Sequence, residues 1–509
     1  MYGMYPNIDI DPKEYSLASL LFGHRMRANQ TMPEYLIEFL QVLIAKKSAG
    51  LLPGGSEYTL EYFPHVDEKL DRPITYEPQT RIGLKRFIFF PHSKPEGKAK
   101  VDEDAYVECV RMMRTKIDAP EDRKKDQIVK VIQDLLYGFN AVNQSRSWFD
   151  QNMLPICEEV ILPEGMGVKA ERKNISFSIG KEDVDKNFSY TRYTYMCRGG
   201  EIYYLHLLDG VNRCGDGLRF SIESKFKKLI QDSYPQFSSL SGFIQRSWDQ
   251  HMLKSPETSY NRTKEIVAIP SDFSVRSKMA AMEIDTLLSN NIHPFDKISI
   301  LADAVVFQLL RVMHVTASIR TGQKDDAWVL DLCKVNPEMR KLATSAFARN
   351  EECIIQYIYE GYDHFENQLR DQKDKEQKNI KDAFDDSYKL YRKLGKSLGF
   401  IIPQKGPFMR LTLSERIVRF LVLSLLQPQQ KVTLDVFLGL INEHFGMVID
   451  RDMYEREAEL GRVKPLGDLS FLDQNKESLS SLLKNCGFLR DISDATAIVE
   501  NPYDPEVIR

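Results

Sequence analysis

Glu223-Ser-Lys225, in FSIESKF, is a spacing at which a carboxylate and an ammonium can share work on a phosphodiester. With Asp209 and Asp216 upstream, an Asp followed by Glu-x-Lys on a hairpin would hold Mg²⁺ and place a water beside the lysine. The continuation SKFKKLIQ reads as helical, and Glu-x-Lys recurs by chance, so a Mg²⁺-dependent nuclease is a second alternative only. Cys197, His206 and Cys214 suggest zinc, but their spacing fits no compact finger and a fourth ligand is missing. His206 alternates with Tyr204 and Leu208 along an expected strand and reads as a packed side chain. Cys157, in LPICEEV, has no activating neighbour and reads as a buried thiol. The glycines of LPGGSE (52–57) end a helix instead of opening one, and GxxxxGK[ST], GxGxxG, GxSxG and HExxH do not occur. No catalytic residue, metal or cofactor is therefore assigned.

Composition is ordinary for a soluble globular protein. The 509 residues are 42% hydrophobic and 28% charged, enough for real cores and for about three domains. A net charge of −4 gives no global field for a polyanion. No run approaches the ~18 uncharged apolar residues of a membrane span, the start MYGMYPNIDIDPKEY has no basic n-region, and seven scattered cysteines fit a reduced, cytoplasmic protein.

The elements predict an α+β, predominantly helical fold. Thr31-Met-Pro-Glu34 has capping-box spacing and opens a helix with Tyr35, Leu36, Phe39, Leu40, Leu43 and Ile44 on one face. EYTLEYF (57–63) and LKRFIFF (84–90) read as β-rich; 102–116 and 121–139 read as helices. FSYTRYTYM (188–196) and EIYYLHLL (201–208), joined by Arg198-Gly-Gly, predict an aromatic hairpin. A core helix is expected over about 296–318. From Asn336-Pro337 to Leu398 two apolar stripes in phase flank the polar waist RDQKDKEQKN, and a continuous rod is preferred over an antiparallel pair turning in the waist. RSWFDQNML (146–154) and RSWDQHML (246–253) echo each other, most simply by chance around a core tryptophan. Four segments result: an N-terminal α+β domain (1–165), a middle α+β domain with the hairpin (166–335), the rod (336–398) and a last module (399–509).

That last module runs helix, helix, helix, hairpin, the order of a winged helix. Leu413 to Leu425 form the first helix, Val432-Thr-Leu-Asp435 opens the second, and Gly446 caps it. Asn475 is expected to cap the third helix, and Gly487 to end it. About 28 residues separate helices two and three where a helix-turn-helix has three or four. Lys405 to Arg509 carry 13 Lys/Arg against 16 Asp/Glu, so protein docking is favoured over DNA reading. If DNA is bound, the candidate contacts are Arg462, Lys464, Asn475, Lys476, Ser478, Lys484 and Arg490.

Three stretches, SLASLLFGHRMRANQTMPEYLIEFLQ, SRSWFDQNMLPICEEVILPEGMG and the helix-plus-VENPY ending, resemble uncharacterised accessory proteins of bacterial anti-phage defence clusters. The resemblance implies a non-enzymatic partner of an ATPase, helicase or nuclease, and supplies no site residues. The expected function is a subunit or adaptor of a multiprotein complex, with a DNA-binding factor as the alternative.

Overall fold

The computed structural model describes residues 4–5, 15–23, 30–48, 61–66, 74–77, 82–89, 100–141, 152–161, 199–252, 264–265, 269–323, 327–369, 376–493 and 496–507. The protein is predominantly helical, with small sheets of two or three strands. The helices are α1 (Leu17–Phe22), α2 (Met32–Ile44), α3 (Ile82–Phe89), α4 (Lys100–Lys116), α5 (Asp122–Tyr137), α6 (Gly199–Cys214), α7 (Asp216–Lys227) and α8 (Pro235–Met252). They continue as α9 (Ser277–Leu288), α10 (Pro294–Thr321), α11 (Pro337–Leu369), α12 (Glu376–Asp385), α13 (Tyr388–Ser397), α14 (Glu415–Leu425), α15 (Leu434–Phe445), α16 (Arg451–Glu459) and α17 (Phe471–Asn485).

Two local readings hold in detail. The Thr31 amide and hydroxyl both donate to the Glu34 carboxylate, at 2.5 and 2.9 Å, which closes the N-terminus of α2. The core helix is α10, whose residues 297–318 are all buried except Ser299. By length and composition α10 is apolar enough to cross a bilayer, but 94% of its most apolar window is covered by the rest of the protein.

The expected hairpin is corrected. Residues 201–208 lie within α6, buried on every side, and periodicity cannot separate a buried helix from a buried strand in so short an apolar run. Residues 188–196 and Cys197 fall outside the described residues. Gly199 and Gly200 do not make a turn. They begin α6, and a Cβ on Gly200 would collide with the Tyr35 carbonyl and Phe39 amide of α2. Gly210 permits the same close approach to Ser277 at the start of α9. Residues 84–89 of the expected β-rich run are likewise helical, within Ile82–Phe89, and Leu84, Phe87 and Ile88 are buried at 3-4 spacing. In the tryptophan echo the first copy is described only from Asn152, where Asn152–Met153 is a strand, and in the second Trp248 is fully buried on α8.

The continuous rod is corrected too. Arg392 on α13 is ion-paired with Glu351 on α11, Nη2 to Oε2 2.7 Å, and Tyr359 meets Phe384 ring to ring at 5.6 Å. Along one helix, 41 residues would span about 60 Å. The chain therefore reverses between α11 and α12, and α12 and α13 pack on α11. The buried apolar residues form one contiguous cluster that includes side chains from α1 through the 496–500 strand.

One buried cation sets a pH dependence. Lys47 is fully buried, and its ammonium donates to the carbonyls of Val42, Leu43 and Ala45 at 2.7–2.9 Å, satisfying the end of α2. Burial pulls its pKa down to about 7, against the opposing pull of Glu223 and Glu61. Below that pH both folded and unfolded chains hold the proton. Between about 7 and the ordinary 10.5 the unfolded chain holds more protons, so stability rises with pH. We expect wild type to gain on the order of 2 kcal/mol relative to Lys47→Met between pH 7 and 9, read as the difference between urea midpoints at the two pH values. Parallel pH profiles would refute this.

Candidate protein and nucleic-acid interface of the C-terminal segment

From residue 415 onward the elements are α14, a strand at Lys431–Thr433, α15, α16, α17 and an antiparallel hairpin of Leu489–Ser493 with Thr496–Glu500. Lys431–Thr433 adds antiparallel to Thr496–Glu500, giving a three-stranded sheet with the last strand at its centre. Ser414 and Thr433 cap α14 and α15 with their hydroxyls, and Gly446, at φ 62°, ends α15 in the left-handed conformation that only glycine adopts without cost. The long insertion is ordered. Met447–Val448 pairs in parallel with Trp328–Val329, and α16 follows with Asp450 as its cap.

Asn475 does not cap α17. Ser470 is the cap, and Asn475 lies one turn inside, fully buried. Its Oδ1 accepts from the amides of Leu332 and Cys333 at 2.7 and 3.3 Å, and its Nδ2 donates to the carbonyls of Leu330 and Ile449 at 2.8 Å each. It stitches the 328–333 segment to the insertion and has no face left for a phosphate. The pattern Leu472, Asn475, Leu479, Leu483 places a polar residue on an apolar stripe, which is the sequence signal for such a hub.

The other candidates are scattered and mostly neutralised. Lys476 Nζ lies 2.6 Å from Asp435 and 3.4 Å from Asp450; burial works against its charge, but these carboxylates outweigh it and hold its pKa above the ordinary value. Arg490 pairs with Glu500, which also faces Lys431. Arg462 pairs with Glu457 at 3.3 Å, and the Lys464 carbonyl accepts from the Tyr454 hydroxyl. Ser478 Oγ donates to the Gln474 carbonyl within α17. Lys464 and Lys484 are exposed. Two clefts flank this region: one of about 460 Å³, between α16 and residues 465–470, is lined by Arg451, Glu455, Glu459 and Asp468. The other, of about 310 Å³, lies where α10, α14 and the end of α17 meet, around Asp303, Glu415, Arg416 and Arg419, with Asp303 ion-paired to Arg416.

The Glu-x-Lys pair does not converge. Glu223 accepts from the Phe63 amide at 2.9 Å, whereas Lys225 donates to Asp285 at 2.6 Å on a different side of α7. Asp209 holds Arg213 and Ser277, and Asp216 is exposed beside His65. His206 is buried on α6, and burial lowers its pKa to about 3. Cys157 is buried. Among the described residues no three His, Cys, Asp or Glu side chains cluster as metal ligands would.

Sequence reasoning missed a second buried hub. Glu283 on α9 accepts from Arg276 at 2.9 Å, from His444 at 2.8 Å and from Gln308. Arg276 also donates to the Gln308 side chain and the His444 carbonyl and stands over the Phe445 ring. This cluster joins α9 and α10 to the end of α15.

No protein-family model, curated protein or solved structure matches the chain.

Proposed function

We propose that the chain is a non-enzymatic subunit of a larger assembly, and that residues 415–500 are a winged-helix module that docks protein. The helix and strand order, with the first short strand beside the last, supports the module. The observation that carries docking over DNA reading is the state of its expected contacts: Lys476, Arg462 and Arg490 are held by carboxylates of the same segment, and Asn475 is interior. A DNA-reading third helix and wing keep such cations free for phosphates. The resemblance to accessory proteins of anti-phage clusters makes an ATPase, helicase or nuclease encoded beside this chain the first partner to seek. A division of the chain at residues 165, 335 and 398 belongs to the same reading, without the aromatic hairpin or the continuous rod.

The test has two arms. Tagged protein purified from its native cells is expected to bring down a neighbour-encoded chain in stoichiometric amount. Charge reversal at Lys476, Lys484 and Arg490 is expected to leave any duplex-DNA gel shift unchanged. A chain that elutes alone defeats the docking reading; a duplex affinity that falls about tenfold or more on reversal establishes the DNA-binding alternative.

A further inference from the structure

The molecule does have a concentrated positive surface, and it lies outside residues 415–500. Residues 331–351 and 387–410 carry ten Lys/Arg against three Asp/Glu, a net of +7 in a chain whose total is −4; of these cations Lys389 is held by Asp385 of α12. Two of those three acids are buried and already paired, Asp331 with Arg410 and Glu351 with Arg392. The same two ion pairs fix the geometry. They tie 387–410 to 331–351 at both ends, so α13 and the hairpin of Ile401–Ile402 with Arg410–Leu411 run alongside the first half of α11. Leu330 bridges to Leu411, and the Asp331 amide donates to the Leu411 carbonyl at 2.9 Å, which fixes the register. Within this frame Gln404 Nε2 donates to the Lys396 carbonyl at 2.8 Å, which brings the hairpin tip with Lys405 to the end of α13. Arg340 donates to the Lys334 carbonyl at 2.6 Å, gathering the cations at the start of α11. Among the described residues no carboxylate pairs with Lys334, Lys341, Lys393, Lys396 or Lys405.

An aromatic ring stands in this field. Phe408 at the hairpin tip is 70% exposed, and Val335 on the facing loop is 81% exposed. Phe408 has φ 63°, and Lys334, next to Val335, has φ 60°. Both are non-glycine residues in the left-handed region, and strain of this kind persists where the surrounding structure fixes a side chain for use. Packing gives Phe408 no reason to be held there, since most of its ring faces solvent.

We propose that this surface binds single-stranded nucleic acid, with the lysines tracking phosphates and Phe408 stacking on a base. Unpaired cations around an isolated exposed ring form the pattern by which proteins hold single strands without reading sequence. A duplex hides its base faces, and a membrane anchor would need a broader apolar tip than one ring and Val335 among Gln404, Lys405, Gly406 and Pro407. The proposal uses none of the residues of the docking module and does not depend on it.

The test is fluorescence anisotropy of the full chain with labelled oligothymidylate and oligouridylate, with a DNA hairpin duplex and phosphatidylserine vesicles as comparisons. Wild type is expected to bind at least one oligomer and prefer it to duplex. Lys393→Glu, Lys396→Glu and Lys405→Glu together should lower that affinity at least about tenfold and reduce the slope of log affinity against log salt by about 2. Phe408→Ala should weaken binding roughly 5- to 150-fold with the salt slope unchanged, and Phe408→Trp should restore it. These side chains are on the surface, so circular dichroism and melting should match wild type; if the triple variant unfolds, the glutamine set replaces it. Absence of oligomer binding at low salt, binding indifferent to these variants, or a requirement for the same residues on vesicles alone would each overturn the proposal.

Discussion

Asn475→Leu is expected to lower the unfolding free energy by about 3–5 kcal/mol, among the largest effects of any single substitution in this chain. The side chain is fully buried and makes four hydrogen bonds, all to backbone groups of segments remote from it in sequence. Leucine has the same branched outline but is larger, so the loss is one of polar satisfaction with some overpacking added, and a cavity contributes nothing. Two amides and two carbonyls would be left in an apolar interior, each costing about 1–3 kcal/mol before relaxation. Asn475→Asp sharpens the reading: it keeps the acceptor for Leu332 and Cys333 but loses both donations, and it buries a charge. Both variants should melt well below wild type in urea or heat. An Asn475→Leu protein within about 1 kcal/mol of wild type would show that these backbone groups find water or one another.

Glu283→Ala should cost a similar amount, on the order of 3–5 kcal/mol, for a different reason. Glu283 is 1% exposed and is the ion-pair partner of Arg276, itself buried. Removing the carboxylate strands a guanidinium whose pKa burial already lowers, and it leaves Gln308 and His444 without their acceptor. Replacing both ions, Arg276→Met with Glu283→Leu, removes the stranded charge. The double variant should therefore be more stable than Glu283→Ala alone, a non-additivity readable in a double-mutant cycle. A double variant no better than the single would assign the loss to packing between α9, α10 and α15.

These two hubs show where the sequence was legible. Local signals carried the helices that have their own punctuation: the capping box of α2, Thr433 before α15, Gly446 after it, and the apolar band of α10. Misreadings came where burial is complete. In α6 every residue from 199 to 211 is covered, so no polar face remained to mark a helical period, and glycines chosen for close packing looked like a turn. The reversal between α11 and α12 was the less favoured reading for the opposite reason: a wholly polar waist contains no breaker, and tertiary pairs such as Arg392 with Glu351 bring the chain back. Of the candidate nucleic-acid contacts, the sequence offered their charges but not their carboxylate partners, which come from α15 for Lys476, from across the hairpin for Arg490 and from five residues upstream for Arg462. The basic surface is composed of two stretches more than 35 residues apart, neither of them unusual alone.

The carboxamide of Asn290 at the end of α9 is completed from far along the chain. It donates to the carbonyls of Thr286, Leu287 and Leu423, and its oxygen accepts from Asn501, 211 residues later; nearby, Lys297 is held by Glu506 at 2.7 Å. During synthesis at about 5–20 residues per second, Asn501 and Glu506 emerge roughly 10–40 s after α9 itself. Throughout that interval Asn290 and Lys297 lack the partners that complete them in the folded chain, so the end of α9 is finished only once the C-terminal strand and the residues after it are made.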